Sequence, residues 1–479
     1  APRAYRPRTT ASCDAVAIVR RHFPAFLERI EHDGGVLPKF VRDEFDGFVT
    51  CGDFERGFLV TACRRCGEQL RVPFSCKVRG FCPSCLGRRM SEGAALLVDR
   101  LLPRCGYRQW VLSFGGSMAV RLGYDATLLA RVSRCFARAV MGSLRRRTAR
   151  HHGLRTASAL HAGMLVVVQR FRYDLGLFVH LHALATDGVF ESTIATDRDH
   201  DRDRDRAEGV AVRWLAAPAA TEEDLAQVLT TVHRRLGRVD DGDEVAPALV
   251  GCAQLSLDST ERPSGAPPPR PLEVSRFGMS LHAASVVDGR DRKRLERMLR
   301  YLLRPPFAHD AVRALPDGRV RLVFKAPTRS GATHVDLEPD RFLARLVGLV
   351  PPPRQHQVRY FGVFSNHHTL RASIRVAQSP SDALAPAPTQ VPLFDTSRQA
   401  PWQASASDTH SPAPSRARIG WAKLLARVFA IDVTVCRRCG GALRVLAAIT
   451  DADEIARLLH GARPPPRPSA PGQLTFFSM

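Results

Sequence analysis

Several things are scarce in these 479 residues. There are only six tyrosines and four tryptophans, so each tyrosine can be weighed by itself. Lysine is almost absent, and arginine supplies nearly all of the 70 basic residues. Acidic residues number 47, which leaves a formal charge of +23. An excess of that size favours a polyanionic partner, nucleic acid or an anionic membrane; the plain alternative is a genome rich in arginine codons. No stretch reaches the roughly 18 to 20 apolar residues that a membrane-crossing helix needs, so no membrane partner is expected. Ala1 to Thr10 are basic but lack the apolar run and cleavage site of a secretory leader. A soluble, cytoplasmic protein is the expectation. In a reducing compartment its twelve cysteines are metal ligands or free thiols rather than disulfides.

What is present suffices for two or three domains, since 44% of the residues are hydrophobic. Ile18, Phe23, Phe26, Leu27 and Ile30 have helical spacing. Gln109 to Phe114 reads as a strand and Leu122 to Arg147 as a basic helix. Met164 to Phe171 and Leu177 to Phe190 read as strands, and Thr221 to Gly237 as a helix. Ser275 to Val287 reads as strand, Asp291 to Leu303 as a helix stopped by Pro305 and Pro306, and Val320 to Lys325 as strand. An Asp/Arg run from Arg202 to Arg206 is too polar to bury, so residues 195–210 are expected to be a disordered insertion. Residues 378–417, rich in Ser, Pro and Ala, read as a linker. A small C-terminal unit, 418–479, holds Cys436 and Cys439 before a disordered tail.

Six of the cysteines fall between positions 51 and 85. Cys63-x2-Cys66 and Cys82-x2-Cys85 have the spacing of a four-cysteine zinc site. A structural zinc ion would replace the core that so short a segment cannot build. Cys51 and Cys76 are spare, and either could substitute for one of the four. Lys77, Arg79, Arg88 and Arg89 flank the cluster and suit phosphate contact. Cys436 and Cys439 form half a site, whose partners could come from elsewhere in the chain or from a second copy.

His180 and His182 alternate with Val179, Leu181 and Ala183, so both imidazoles share one face of a strand. Such a pair can chelate a divalent ion. Pairing across a turn at Tyr173 to Gly176 would put Gln169 opposite His180 as a third, oxygen ligand. A mixed nitrogen and oxygen set suits Mg²⁺ or Mn²⁺. Tyr301 lies on the helix whose apolar stripe is Leu295, Met298, Leu299 and Leu302, but falls off that stripe. Arg300 and Arg304 flank it and could hold phosphates. A phenol beside a polarised phosphate can form a covalent ester.

Five segments together resemble the rolling-circle insertion-sequence transposases of the IS-ninety-one-like group, which are HUH endonucleases. They are Phe74-Ser-Cys-Lys-Val-Arg-Gly-Phe-Cys-Pro-Ser-Cys85 with Arg88-Arg89-Met90, Arg108-Gln-Trp-Val-Leu-Ser113, His180-Leu-His182, Arg300-Tyr-Leu-Leu-Arg-Pro-Pro306 and Tyr360-Phe-Gly-Val-Phe364. The resemblance implies an α+β architecture. A helical, zinc-binding domain over 1–105 precedes an HUH catalytic domain over 106–375, with a central antiparallel sheet. It also implies Tyr301 as nucleophile on single-stranded DNA at element ends, a 5′-phosphotyrosine product and a free 3′-hydroxyl. Target DNA is a further partner, and a homodimer is compatible with the chemistry. A bacterial nucleoid location follows from that reading. Some members carry two tyrosines four residues apart. Here the positions four before and four after Tyr301 are Arg297 and Pro305, which resembles the single-tyrosine, common-region subgroup. His282, in Met279-Ser-Leu-His-Ala283, is an alternative third ligand to Gln169. The rival readings are a plasmid replication initiator or relaxase of the same chemistry, a non-catalytic zinc-containing DNA-binding regulator, and an inactive copy.

Overall fold

The structure is a computed structural model that describes residues 13–193, 211–237, 247–257, 271–328, 331–376, 435–436 and 438–461. The expected insertion at 195–210 and linker at 378–417 lie outside them, as does most of the expected unit 418–479. Among the described residues no helix is long and apolar enough to cross a membrane.

In chain order, helices α1 (Asp14–His32) and α2 (Lys39–Val49) precede strands β1 (Phe58–Cys63) and β2 (Gln69–Pro73). Helix α3 (Pro83–Leu96) runs into a π-helical turn, Leu97–Leu101. Next come β3 (Gly106–Phe114), α4 (Gly116–Tyr124), α5 (Ala126–His151), β4 (Leu160–His161), β5 (Gly163–Phe171), β6 (Leu177–Thr186), β7 (Gly188–Thr193) and β8 (Ala211–Ala216). They are followed by α6 (Glu222–Leu236), α7 (Pro247–Leu257), β9 (Glu273–Arg276), β10 (Met279–His282), β11 (Val286–Asp288) and α8 (Arg292–Leu302). Last are β12 (Val312–Ala314), β13 (Val320–Val323), β14 (His334–Leu337), α9 (Pro339–Leu349), β15 (Val358–Gly362), α10 (Arg371–Val376), β16 (Leu443–Ile449) and α11 (Ala452–His460).

The chain forms two compact units: one of residues 50–76 with the C-terminal segment, the other of residues 13–49 and 77–387. Helices α1 and α2 belong to the larger unit, where Phe23 stacks on Phe45 and Phe81 meets both Phe45 and Phe48 edge-on. A cysteine-rich, aromatic and helical N-terminal region thus precedes a mixed α+β region.

The larger unit is built on an antiparallel sheet in the order β15-β5-β6-β3-β10-β9, with β11 also pairing β3. Strand β6 is central and reads as a near-continuous apolar run because both of its faces are covered. One face carries Trp110, Leu112, Val166, Val168, Leu181 and Ala183, packed against apolar residues of α4, α5 and α6. The opposite face carries Leu165, Val167 and Leu184, packed against Leu295, Leu299 and Leu302 of α8 and Ala94 of α3. The side-chain alternation that separates those two sets also puts Gln169, His180 and His182 on the α8 face.

Three expected elements are divided. The helix expected over Leu122 to Arg147 is two, because the Asp125 side chain accepts from Leu128 N and starts α5 anew. The strand expected over Leu177 to Phe190 ends at Thr186. Both carboxylate oxygens of Asp187 there accept from Nε and Nη2 of Arg108, and β7 leaves for a separate sheet with β4 and β8. The strand expected over Ser275 to Val287 is broken by a turn at Phe277 and Gly278, both with positive φ (56° and 69°), the backbone that a tight hairpin demands.

Candidate catalytic centre and the cysteine clusters

The pairing of β5 with β6 sets Gln169 opposite His180. The same ladder puts β3 on the other side of β6, with Val111 opposite His182. Gln109, two residues earlier on the same face of β3, then reaches His182. Three hydrogen-bonding contacts tie these groups together. His180 Nδ1 is 2.9 Å from Phe178 O. A carbonyl only accepts, so Nδ1 donates and Nε2 keeps its lone pair. The Nε2 atoms of His180 and His182 are 3.0 Å apart, and His182 Nδ1 is 3.0 Å from Gln109 Nε2. The consistent reading is a relay in which Gln109 donates to His182, His182 to His180, and His180 to the backbone. Turning the Gln109 amide over would instead accept from His182 Nδ1 and free the second Nε2 lone pair.

Both imidazoles are held neutral. Burial pushes His180 down to about 4, with the Arg304 charge adding to it and the Phe178 carbonyl opposing it. Burial, then the neighbouring His180 and Arg304, takes His182 to about 2. A neutral imidazole is the form that ligates a cation.

Helix α8 begins where the Asp291 side chain accepts from Arg294 N and ends at Leu303, ahead of the two prolines. Its buried residues are Leu295, Glu296, Leu299 and Leu302. Tyr301 lies off that stripe and is 44% exposed. Its ring stands edge-on to His182, centroids 5.9 Å apart and planes at 89°. The Arg304 guanidinium lies over the Tyr301 ring at 4.5 Å and over Phe171 at 5.6 Å. Gln169 fastens the end of this helix: its Nε2 donates to Leu302 O at 2.8 Å and, more weakly, to Tyr301 O at 3.4 Å. These are carbonyls that a helix terminus leaves without an intrahelical partner. Gln169 Oε1 is buried and has no hydrogen-bond partner among the described residues.

The structure therefore brings Gln169, His180, His182, Tyr301 and Arg304 together. His282 shares their sheet but sits on β10, opposite Val111, so a whole strand separates it from His182. Arg300 is paired with Glu296 one turn earlier on α8. The Arg79 guanidinium donates to Gln355 O, and that of Arg89 to Val78 O and Lys77 O. Those two arginines hold backbone together, and they are as exposed as Lys77 and Arg88. Gln109 carried no expected role. Its signal was its place one residue after Arg108 on a strand, and only the β3–β6 register shows what it reaches.

The cysteines combine differently from the expected foursome of Cys63, Cys66, Cys82 and Cys85. Cys63 and Cys66 meet Cys436 and Cys439. The four sulfurs of that group lie within 4.8 Å of one another, as a chelating set requires. The reason is the hairpin. Strand β2 runs back along β1 until Pro73 pairs with Phe58, so the chain leaves from the end opposite Cys63.

Residues 163–371 match the family model described as "Putative transposase", and residues 18–114 match the one described as "Transposase zinc-binding domain". No curated protein and no solved structure matches the chain. Transposase domains of the IS-ninety-one family are thus present. The first match contains Gln169, His180, His182 and Tyr301. The second contains Cys63 and Cys66 and stops far short of Cys436 and Cys439.

Proposed function

We propose that the chain is a transposase of the HUH type, which nicks and rejoins single-stranded DNA at the ends of an insertion sequence. The observation that carries this reading is the approach of the Tyr301 ring to His182, beside a second neutral imidazole and an unpartnered amide oxygen. In the proposed step the Tyr301 hydroxyl attacks a DNA phosphorus. The bond from phosphorus to the 3′ oxygen breaks, the 5′ side stays on the tyrosine as a phosphodiester, and the phenolic proton is passed on as the 3′-hydroxyl forms. Attack by another 3′-hydroxyl on that ester reseals a strand and releases the phenol, with no external energy source.

His180, His182 and Gln169 are the residues that would hold Mg²⁺ or Mn²⁺, whose chemistry when bound is to polarise the scissile phosphate. The fit rests on the two close Nε2 atoms and on Gln169 Oε1, a buried acceptor awaiting a partner. Arg304 steadies the phenol through its ring face and adds positive charge where phosphate would lie. Lys77 and Arg88 are placed to meet DNA backbone. With one tyrosine on α8, a complete transfer would reuse Tyr301 or call on a second copy of the chain.

The test is incubation with single-stranded element ends and Mn²⁺, followed by mass spectrometry of tryptic peptides. A nucleotide on Tyr301 is expected. Tyr301→Phe should bind the same DNA and form no adduct; full cleavage by that variant would refute the assignment. A relaxase or replication initiator would show the same adduct with a plasmid origin and not with element ends.

A further inference from the structure

We propose that Cys63, Cys66, Cys436 and Cys439 bind one zinc ion, so that the C-terminal segment is an integral half of a metal module whose other half lies 370 residues earlier. The proposal owes nothing to the chemistry assigned to Tyr301.

It starts from a repeat. Residues 63–67 and 436–440 are the same pentapeptide, Cys-Arg-Arg-Cys-Gly. Their described residues make the same turn contacts. Arg65 N donates to Cys63 Sγ at 3.3 Å, and Arg438 N to Cys436 Sγ at 3.4 Å. Gly67 N donates to Cys63 O and Gly440 N to Cys436 O. Each glycine closes its turn with positive φ, 74° and 70°, a conformation that costs other residues strain. Such a turn points both of its sulfurs to one side.

The two turns face each other. Cys63 Sγ is 3.4 Å from Cys439 Sγ, and Cys66 Sγ is 3.5 Å from Cys436 Sγ. A disulfide would require about 2.05 Å. Tetrahedral zinc with bonds of about 2.3 Å would set its sulfurs near 3.8 Å apart. The four thiols stand close to the second spacing. Arg64, Arg65 and Arg438 are exposed around them and offset the charge of four thiolates on a divalent ion.

Backbone pairing delivers the second turn. Strand β16 lies antiparallel on the free side of β1, Cys63 opposite Leu443 and Phe58 opposite Ile449, with Arg64 N donating to Ala442 O. Among the described residues the core beneath it is small: Phe58, Val60, Ile449 and Ile455 are buried, with Phe54, Leu458 and Leu459 against them. A core of that size does not hold a long-range pairing by itself, and a metal is the usual remedy in small modules.

The test uses the full chain, purified under reducing conditions, with zinc counted by plasma mass spectrometry. Cys63→Ser/Cys66→Ser and Cys436→Ser/Cys439→Ser should each lose one zinc per chain, and the fourfold variant should lose no more than that same ion. Unchanged zinc in Cys436→Ser/Cys439→Ser, or losses that add to two, would overturn the proposal. Because serine variants can unfold the module, thiol labelling of the wild-type protein gives an independent reading. In zinc-loaded protein all four cysteines should resist alkylation, and a chelator should expose them together. Labelling of Cys436 and Cys439 at the rate of free thiols would also overturn it.

Discussion

Gln169→Glu should weaken the metal-free protein and strengthen its response to manganese. The glutamine does two things at once: its Nε2 straps the end of α8, and its Oε1 faces the imidazoles without a partner. Glutamate has the same shape but, when ionised, donates nothing. The bond to Leu302 O at 2.8 Å is lost, leaving a buried carbonyl facing a carboxylate; that to Tyr301 O at 3.4 Å matters little. Leaving a buried acceptor unsatisfied costs about 1–3 kcal/mol. For a unit of this size that corresponds to a melting point lower by roughly 2–6 °C. A carboxylate oxygen is a harder and charged ligand, so it should bind Mn²⁺ more tightly than the amide does. A ligand at about 100 times its Kd stabilises by about 2.7 kcal/mol, so the manganese-induced rise in Tm should be larger than in wild type. Differential scanning fluorimetry with and without Mn²⁺ reads both effects. A Gln169→Glu variant as stable as wild type without metal would refute the strap, and one no more responsive to manganese would refute the ligand role.

Loss of the phosphotyrosine adduct in Tyr301→Phe and loss of a single zinc in Cys436→Ser/Cys439→Ser are two further expected outcomes. Acid should destabilise the metal-free protein through His180 and His182. Their pKa values fall on folding, so the unfolded chain takes up protons first. The stability they permit is present above about 6.5 and is lost as pH falls toward 4, on the order of a few kcal/mol. Urea midpoints across that range should fall less steeply in His180→Gln/His182→Gln; parallel curves would exclude the histidines as the cause. Trp110 is fully buried, yet its indole N–H has no hydrogen-bond partner among the described residues. Trp110→Phe should therefore cost about 1 kcal/mol and Trp110→Ala about 3–5 kcal/mol, and equal losses on urea unfolding would contradict that account.

Much of the centre was legible because strands have a period of two. Alternation alone put His180 and His182 on one face, and hairpin geometry put Gln169 beside them. Tyr301 was distinguished by falling off a helical stripe, but its approach to His182 depends on α8 packing across the sheet, which no local pattern encodes. Gln109 was hidden for the same reason, since its role exists only through the β3–β6 register. The cysteines show where spacing misleads. Two Cys-x-x-Cys pairs near in sequence suggested one site, whereas β16 brings Cys436 and Cys439 beside Cys63 and Cys66. The repeated Cys-Arg-Arg-Cys-Gly was visible in the sequence; its meaning depended on a strand pairing across 370 residues. Arg79 and Arg89 illustrate the converse, arginines in a basic stretch that serve backbone carbonyls.

The pairing of β1 with β16 has a consequence for how the protein comes into being. A ribosome adds about 5–20 residues per second, so the 370 residues between the two halves take roughly 20 to 75 seconds to emerge. During that interval the outer edge of β1 is unpaired and Cys63 and Cys66 can offer an ion only two sulfurs. The newborn chain is then exposed to strand-to-strand association and to stray thiol chemistry, and any message that ends early leaves it in that condition permanently.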